Sequence, residues 1–196
     1  MSNPPLAFDE APVDLKDRDL AALLAWLVPG LGHFYQGRRF KACLFFVLIV
    51  GTFVWGLYLG GDSEVGWGRV VYASWRKDDH RWHYFCQLGV GLPAFPALVQ
   101  AYRGADRPDI LWHGLMAPPR LVEDPEVRDD PSLHLRHPTE STLNYHLNRF
   151  FELGTVYTML AGLMNILAIY DAWGGPVWLV ARRKDEAQDS KKDDTP

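Results

Sequence analysis

The chain has 196 residues, of which 48% are hydrophobic and 22% charged, and its formal net charge is −4. This length fits one domain or two small ones. Because the net charge is negative and the basic residues form no extended patch with interleaved aromatics, the sequence predicts no nucleic-acid partner. The two cysteines exclude a disulfide-rich secreted scaffold.

The charged residues are unevenly distributed, although the average composition is that of an ordinary soluble protein. Four stretches contain no Asp, Glu, Lys or Arg: residues 20–37, 42–61, 82–102 and 153–170. Each is close to the roughly 20 residues that an α-helix needs to cross about 30 Å of hydrocarbon. The sequence therefore predicts an all-α integral membrane protein: a helical hairpin, one or two further membrane segments and a long irregular polar loop.

The N-terminal part combines a polar tail with the first uncharged stretch. Residues 1–18 are Pro-rich and acidic and predict a disordered tail. A secretory signal is the alternative, but no A-x-A-like cleavage site follows the apolar run 20–28. The first stretch is rich in Ala and Leu and predicts a helix with Asp19 as a possible N-cap. Pro29 should kink it, so this stretch is a marginal span that could merely dip into a membrane.

The second stretch, ACLFFVLIVGTFVWGLYLGG, is hydrophobic on all sides and is the strongest membrane signal in the chain. Gly56 and Gly60 form a G-x-x-x-G motif, a weak indication of a close-packing helix face. The polar residues that follow, 62–81, predict an interfacial loop, with room for a short strand or helix.

The third stretch, 82–102, contains Pro93 and Pro96 as well as several glycines. It predicts a broken or re-entrant membrane helix, since such residues are tolerated where neighbours satisfy the freed backbone groups. Residues 103–149 predict a long polar loop. The last stretch becomes wholly apolar within 150–175 and predicts a membrane helix, and 176–196 predicts a charged tail.

The basic residues also predict the topology. The cations Arg38, Arg39 and Lys41 stand between two apolar stretches, where they mark a membrane surface at a tight turn. A second basic cluster occupies 182–184. The positive-inside tendency favours the cytoplasm for both clusters, which three full spans between them would prevent. Re-entry of 82–102 resolves this conflict.

The turn at the first basic cluster resembles the signature of a small two-helix membrane domain, the TM-two family. In that family a run similar to G-x-G-x-H-x-F-Y-x-G ends the first helix, and a basic turn leads into the second. The residues that carry the resemblance here are Pro29, Gly30, Gly32, His33, Phe34, Tyr35, Gly37 and Arg38. This sequence lacks the residue usually found between His and Phe, and Pro29 precedes its first Gly. The match covers about forty residues.

A second resemblance lies in FELGTVYTMLAGLMNILAIYDAWGG, which is similar to the C-terminal helix of short bacterial membrane proteins that begin with such a hairpin. Together the resemblances imply a multi-pass protein of the bacterial inner membrane with no established chemistry. They supply no catalytic residues to carry over.

Two places in the chain are candidate sites. His33 and Tyr35 at the hairpin turn could bind a lipid headgroup or a partner, but a turn whose glycines allow close helix approach is the simpler interpretation. Asn165 in the last helix and Asp171 at its end form a possible intramembrane polar site. An interhelical hydrogen bond accounts for Asn165 equally well, and a water-exposed helix end accounts for Asp171.

The histidines suggest a metal site but do not predict one. His134 and His137 have a helical i, i+3 spacing, but they lie in a Pro-flanked segment without a matching Cys or carboxylate pattern. The sequence therefore predicts no metal and no cofactor.

The function predicted from the sequence is a scaffold or interaction protein without catalysis, with the lipid bilayer and other membrane proteins or a second copy of the chain as partners. The alternatives are a membrane enzyme or transporter that uses the histidine-bearing loop and Asn165, and a soluble helical domain. The predicted segments are a tail at 1–18, the hairpin at 19–61, a loop at 62–81, a broken helix at 82–102, a loop at 103–149, a helix at 150–175 and a tail at 176–196.

Overall fold

A computed structural model describes residues 16–61, 67–76, 79–103, 111–118 and 149–175. Within these ranges the secondary-structure elements are all helices apart from one antiparallel pair of two-residue strands, so the prediction of an all-α fold is confirmed for the described residues. Residues 1–15 of the predicted N-terminal tail, the C-terminal tail and most of the predicted loop at 103–149 lie outside the described residues, whereas Arg18 of the predicted N-terminal tail already belongs to a helix.

The elements follow one another in a simple order. They are α1 (Arg18–Leu27), α2 (Leu31–Tyr35), α3 (Arg39–Leu59), β1 (Trp75–Arg76), β2 (Asp79–His80), α4 (His83–Leu88), a 3-10 turn (Leu92–Ala94), α5 (Phe95–Arg103), a second such turn (Leu111–Gly114) and α6 (Arg149–Gly174). In the strand pair, Trp75 lies opposite His80 and Arg76 opposite Asp79. By length and composition, α3 and α6 could each cross a membrane.

Helix α1 begins earlier than the sequence predicts. Asp17, not Asp19, is the N-cap, because its side chain accepts hydrogen bonds from the backbone N–H groups of Asp19 and Leu20. The helix ends at Leu27, just before Pro29, and Gly30 takes a left-handed φ of 83°. The chain therefore reverses direction here, and the segment 19–61 contains three helices where the sequence predicts two.

Helix α6 is the central element and packs on α1, α3 and α4. Its buried face repeats every three or four residues and consists mostly of small side chains: Gly154, Thr155, Thr158, Ala161, Gly162, Asn165, Ala168 and Ala172. Small residues let helix backbones approach closely. The G-x-x-x-G motif of α3 uses this face, since the Gly56 carbonyl oxygen and the Gly60 nitrogen lie 2.6 and 2.9 Å from where a Cβ on Gly154 would be.

Helices α1 and α2 form a hairpin beside the C-terminal half of α6. The Trp173 indole N–H donates to the Asp19 carboxylate (3.0 Å), and the Asn165 amide donates to the Ala25 carbonyl (3.1 Å). Helix α1 therefore runs antiparallel to α6. The two contacts are six residues apart on α1 and eight residues apart on α6, which at 1.5 Å per residue is about 9–12 Å along the helix axes. Helix α2 runs back toward the C-terminal end of α6, because the side chain of Gln36, just after α2, donates to the Ala172 carbonyl (2.6 Å).

Helix α4 packs on the other half of α6 and is followed, after a turn at Gly89–Gly91, by α5. We call the segment from α4 to α5 the second hairpin. The side chain of Arg81, just before α4, donates to the Thr155 hydroxyl (3.1 Å), while the Gly89 carbonyl, just after α4, accepts from Asn165 (2.9 Å). Helix α5 leads away from this point, and Gln100 donates to the Leu111 carbonyl (2.7 Å). The two hairpins thus enter from opposite ends of α6, and their tips meet at Asn165.

The break in the segment 82–102 falls at Gly89–Gly91 rather than at its prolines. Gly91 has a φ of 83°, and a Cβ there would collide with the Trp26 carbonyl oxygen at the tip of the first hairpin. Pro93 lies in the 3-10 turn and Pro96 in the first turn of α5, where proline is tolerated because the first N–H groups of a helix have no partner within it. Contact between the tips therefore requires glycine at 91.

Candidate functional site

The main polar site is the Asp171 cluster, formed by His33, Arg38, Lys41 and Asp171. These residues come from α2, from the turn after it, from the first turn of α3 and from the last turns of α6. The structure therefore brings together four residues that the sequence analysis names separately: His33 and Asp171 as candidate site residues, and Arg38 and Lys41 as cations of the basic turn.

A single carboxylate oxygen is the centre of the Asp171 cluster. Oδ2 of Asp171 lies 2.8 Å from His33 Nε2, 2.7 Å from Arg38 Nη2 and 3.4 Å from Lys41 Nζ. The His33 side chain is 0% exposed, that of Arg38 is 9% exposed and that of Asp171 is 25% exposed. Arg38 is therefore not a solvated surface charge, as the sequence suggests, but half of a largely buried ion pair.

Local backbone features place His33 in the interior. Gly32 lies against α1, where a Cβ would collide with the Ala21 carbonyl oxygen, so a glycine is needed for this close approach. One residue further on, the His33 ring packs 4.8 Å from the ring of Phe45 on α3. Gly37, with a φ of 80°, then turns the chain into α3.

The protonation of His33 follows from its surroundings. Burial lowers the pKa of His33, and the hydrogen bond to Asp171 opposes this effect. Because an ionised carboxylate can only accept, the Nε2 atom carries the proton. The Nδ1 atom is buried and has no hydrogen-bond partner among the described residues. The arrangement therefore favours a neutral imidazole that ties α2 to α6.

The chemistry available to the Asp171 cluster is chiefly that of a clamp. A histidine held by a carboxylate is the orienting half of a catalytic triad. Here, however, the same carboxylate oxygen also pairs with two cations, and the imidazole is fully buried. Because these contacts join α6 to α2 and to the start of α3, the cluster holds the end of α6 against the start of α3. Removal of one partner would leave an uncompensated buried charge, which is strongly destabilising.

Asn165 forms a separate site. It lies six residues before Asp171, which is about 9 Å along the helix axis. Its side chain is 0% exposed, and its amide nitrogen donates to the carbonyls of Ala25 and Gly89. Both hydrogen bonds are interhelical, as the structural interpretation of Asn165 expects, and they join the two hairpin tips.

The remaining residues of the hairpin signature surround a groove or face solvent. Pro29, Gly30 and Phe34 line an apolar groove beside α3. Tyr35 lies with its ring centroid 4.8 Å from the Lys16 ammonium, in a cation–π contact. Gly37 is exposed and has no neighbour within 4 Å of a Cβ position.

Several polar residues of the interior are not singled out by sequence reasoning. Gln87 is fully buried and donates to the Thr158 hydroxyl (2.9 Å) and the Val70 carbonyl (3.1 Å). Burial lowers the pKa of Arg69, in the loop after α3, to about 10. For Gln87 the available sequence signal is a glutamine inside the uncharged stretch 82–102, since a buried polar group needs a hydrogen-bond partner.

The structure leaves the predicted absence of a metal as a prediction. Among the described residues, no group of three or more His, Cys, Asp or Glu side chains is close enough to hold an ion. His134 and His137 lie outside the described residues.

Comparison with known proteins identifies a family for this chain. No curated protein and no solved structure matches this chain. The model of DUF6677, a family of unknown function, matches residues 20–185, and on this match the chain belongs to that family.

Proposed function

We propose that the protein is a multi-pass protein of the bacterial inner membrane that acts as a scaffold or interaction protein without catalysis. The observation that carries this proposal is the apolar surface that the two long helices leave exposed, while some polar side chains are buried. Buried positions hold polar side chains such as Gln87 and Asn165, both 0% exposed, whereas Leu48 on α3 is 47% exposed and Leu167 on α6 is 71% exposed. Contiguous exposed apolar surface of this kind belongs in contact with lipid or with another protein.

The packing of the two long helices supports the same proposal. Only 22% of the most apolar part of α3 and 39% of that of α6 is buried. A core helix of a soluble protein that is hydrophobic on all sides would be mostly covered. Lipid covers the remaining apolar surface in the proposed arrangement.

In this arrangement α3 and α6 cross the bilayer, and the two hairpins each enter from one side without crossing. The start of α3 and the end of α6 lie together at the Asp171 cluster. The positive-inside tendency then assigns Arg38, Arg39 and Lys41 to the cytoplasm. The loop 103–149 is therefore periplasmic, and re-entry of 82–102 accounts for the even number of spans.

The topology is tested with single cysteines introduced at Asp109 and Asp189, in a chain that lacks Cys43 and Cys86. A membrane-impermeant thiol reagent applied to intact cells is expected to label position 109 and not position 189. Lysed cells, in which both positions should react, are the control. Protection at 109 in intact cells would exclude the re-entrant arrangement.

The interaction role is tested by photo-cross-linking in cells from exposed and buried positions. A photoreactive residue at Leu48 or Leu167 is expected to give a discrete protein adduct, either a dimer of this chain or one defined partner. The same residue at Ile49, which follows Leu48 on α3 and is 0% exposed, is the matched control and should give none. Adducts with lipid alone at both exposed positions would contradict the scaffold proposal.

A further inference from the structure

A groove runs between the tip of the first hairpin and the outer face of α3. Its volume is about 330 Å³, which lies at the lower end of the range for ligand pockets. Its lining is apolar apart from one charged residue, Arg39, and includes Pro29, Leu31, Phe34, Cys43 and Phe46.

The length and direction of the groove suit an extended chain. Arg39 begins α3 beside the Asp171 cluster, and Phe46 lies seven residues further along, about 10 Å at 1.5 Å per residue. One leaflet of the hydrocarbon core is about 15 Å deep, half of about 30 Å. In the proposed membrane position the groove therefore runs from the cytoplasmic surface through most of one leaflet.

The cation of the groove is available to a ligand. Arg38 and Lys41 on either side of it pair with Asp171. The Arg39 side chain is exposed and pairs with no acidic side chain in the described part of the chain. A guanidinium matches a phosphate through two parallel hydrogen bonds. Arg39 thus supplies charge complementarity for an anion where the apolar lining begins.

We propose that this groove binds one acyl chain of an anionic phospholipid, with the phosphate of that lipid on Arg39. The inference rests on the membrane position proposed above. It commits to a lipid rather than a protein segment because the groove combines a cation at the surface with a continuous apolar wall below it. Anionic lipids are enriched near basic residues at the cytoplasmic face.

The test is native mass spectrometry of the full chain in detergent, titrated with phosphatidylglycerol or phosphatidylcholine of the same acyl chains. One phosphatidylglycerol is expected to bind with an affinity about fivefold above that of phosphatidylcholine, the factor that one cation contributes at a membrane surface. Arg39→Gln should abolish this preference. Arg39→Lys, which keeps the charge, should retain most of it.

Two further variants locate the effect. Arg103→Gln removes an exposed cation at the end of α5, away from the groove, and should leave the preference unchanged. Cys43→Trp fills the groove and should weaken the binding of both lipids. The thermal stability of each variant, measured without added lipid, shows whether it is folded.

Three results would overturn the proposal: equal binding of the two lipids by the unaltered chain, equal effects of Arg39→Gln and Arg103→Gln, or a Cys43–Cys43 disulfide between two copies in the membrane. The last would make the groove a protein interface. If the protein stays with the membrane after carbonate washing but shows no lipid preference, only the proposal of a lipid-binding groove is wrong. Chain released by carbonate contradicts the membrane position itself.

Discussion

The contact between the two hairpin tips at Asn165 allows a quantitative prediction. Asn165→Leu keeps the number and branching of the side-chain heavy atoms but removes both amide donors. The carbonyls of Ala25 and Gly89, now 3.1 and 2.9 Å from the amide nitrogen, would then lose these hydrogen bonds in the interior. Interhelical hydrogen bonds in membranes average about 0.6 kcal/mol each and reach about 1.7 kcal/mol.

For two bonds the free energy of unfolding should therefore fall by about 1–3 kcal/mol. The assay is reversible unfolding of the purified protein by sodium dodecyl sulfate in mixed micelles, followed by tryptophan fluorescence.

The matched control is Thr52→Val, which is also isosteric and lies in the other long helix. The Thr52 hydroxyl donates only to the Leu48 carbonyl of its own helix, at 2.7 Å. Its removal should cost less than about 0.5 kcal/mol, because that carbonyl belongs to the backbone ladder of the helix. Equal losses for the two variants, or no loss for Asn165→Leu, would refute the idea that this amide joins the hairpins.

Three further predictions use the same unfolding assay or membrane fractionation. Gly32→Val should destabilise the protein by more than 2 kcal/mol through collision with α1, whereas Gly51→Val, which has open space around it, should be nearly neutral; equal effects would exclude close packing at Gly32. The lowered pKa of His33 means that its contribution to stability is complete above about pH 6.5 and is lost as the pH falls below that value. His33→Gln should reduce the drop in stability between pH 7.5 and 5.5, and an unchanged drop would contradict this assignment. Leu48→Arg should cost about 2.5–3.5 kcal/mol of membrane insertion, while Phe40→Arg at the first turn of α3 should insert normally; equal membrane yields would contradict a span at α3.

The sequence predicts well the features that depend on local composition. The apolar run that forms α3 is recognisable because it has no polar side for 20 residues. The turn at Pro29 and Gly30 is also predictable, since proline and a left-handed glycine end a helix. The sequence predicts a kink at this position, whereas in the structure the chain reverses its direction. A kink and a full reversal have the same local sequence signal, so the residues of the turn alone do not distinguish them.

The Asp171 cluster could not be assembled from the sequence, since His33 and Asp171 are 138 positions apart. Each of them alone has an ordinary interpretation, as a turn residue and as a helix end at the water interface. Only the packing of α2 on α6 makes them partners. The same holds for Asn165, whose partners are backbone carbonyls and therefore leave no trace in residue type.

The central position of α6 has a consequence for biosynthesis. Of the described helices, α6 is the last to leave the ribosome, yet it carries the small-residue face on which α1, α3 and α4 pack. Until Asp171 emerges, the guanidinium of Arg38 and the imidazole of His33 lack the carboxylate that holds them, and they must stay hydrated at the surface. The contacts between the first hairpin and α6 therefore form only after synthesis of the last helix, so a chain truncated before α6 would be incompletely packed and exposed to quality-control proteases.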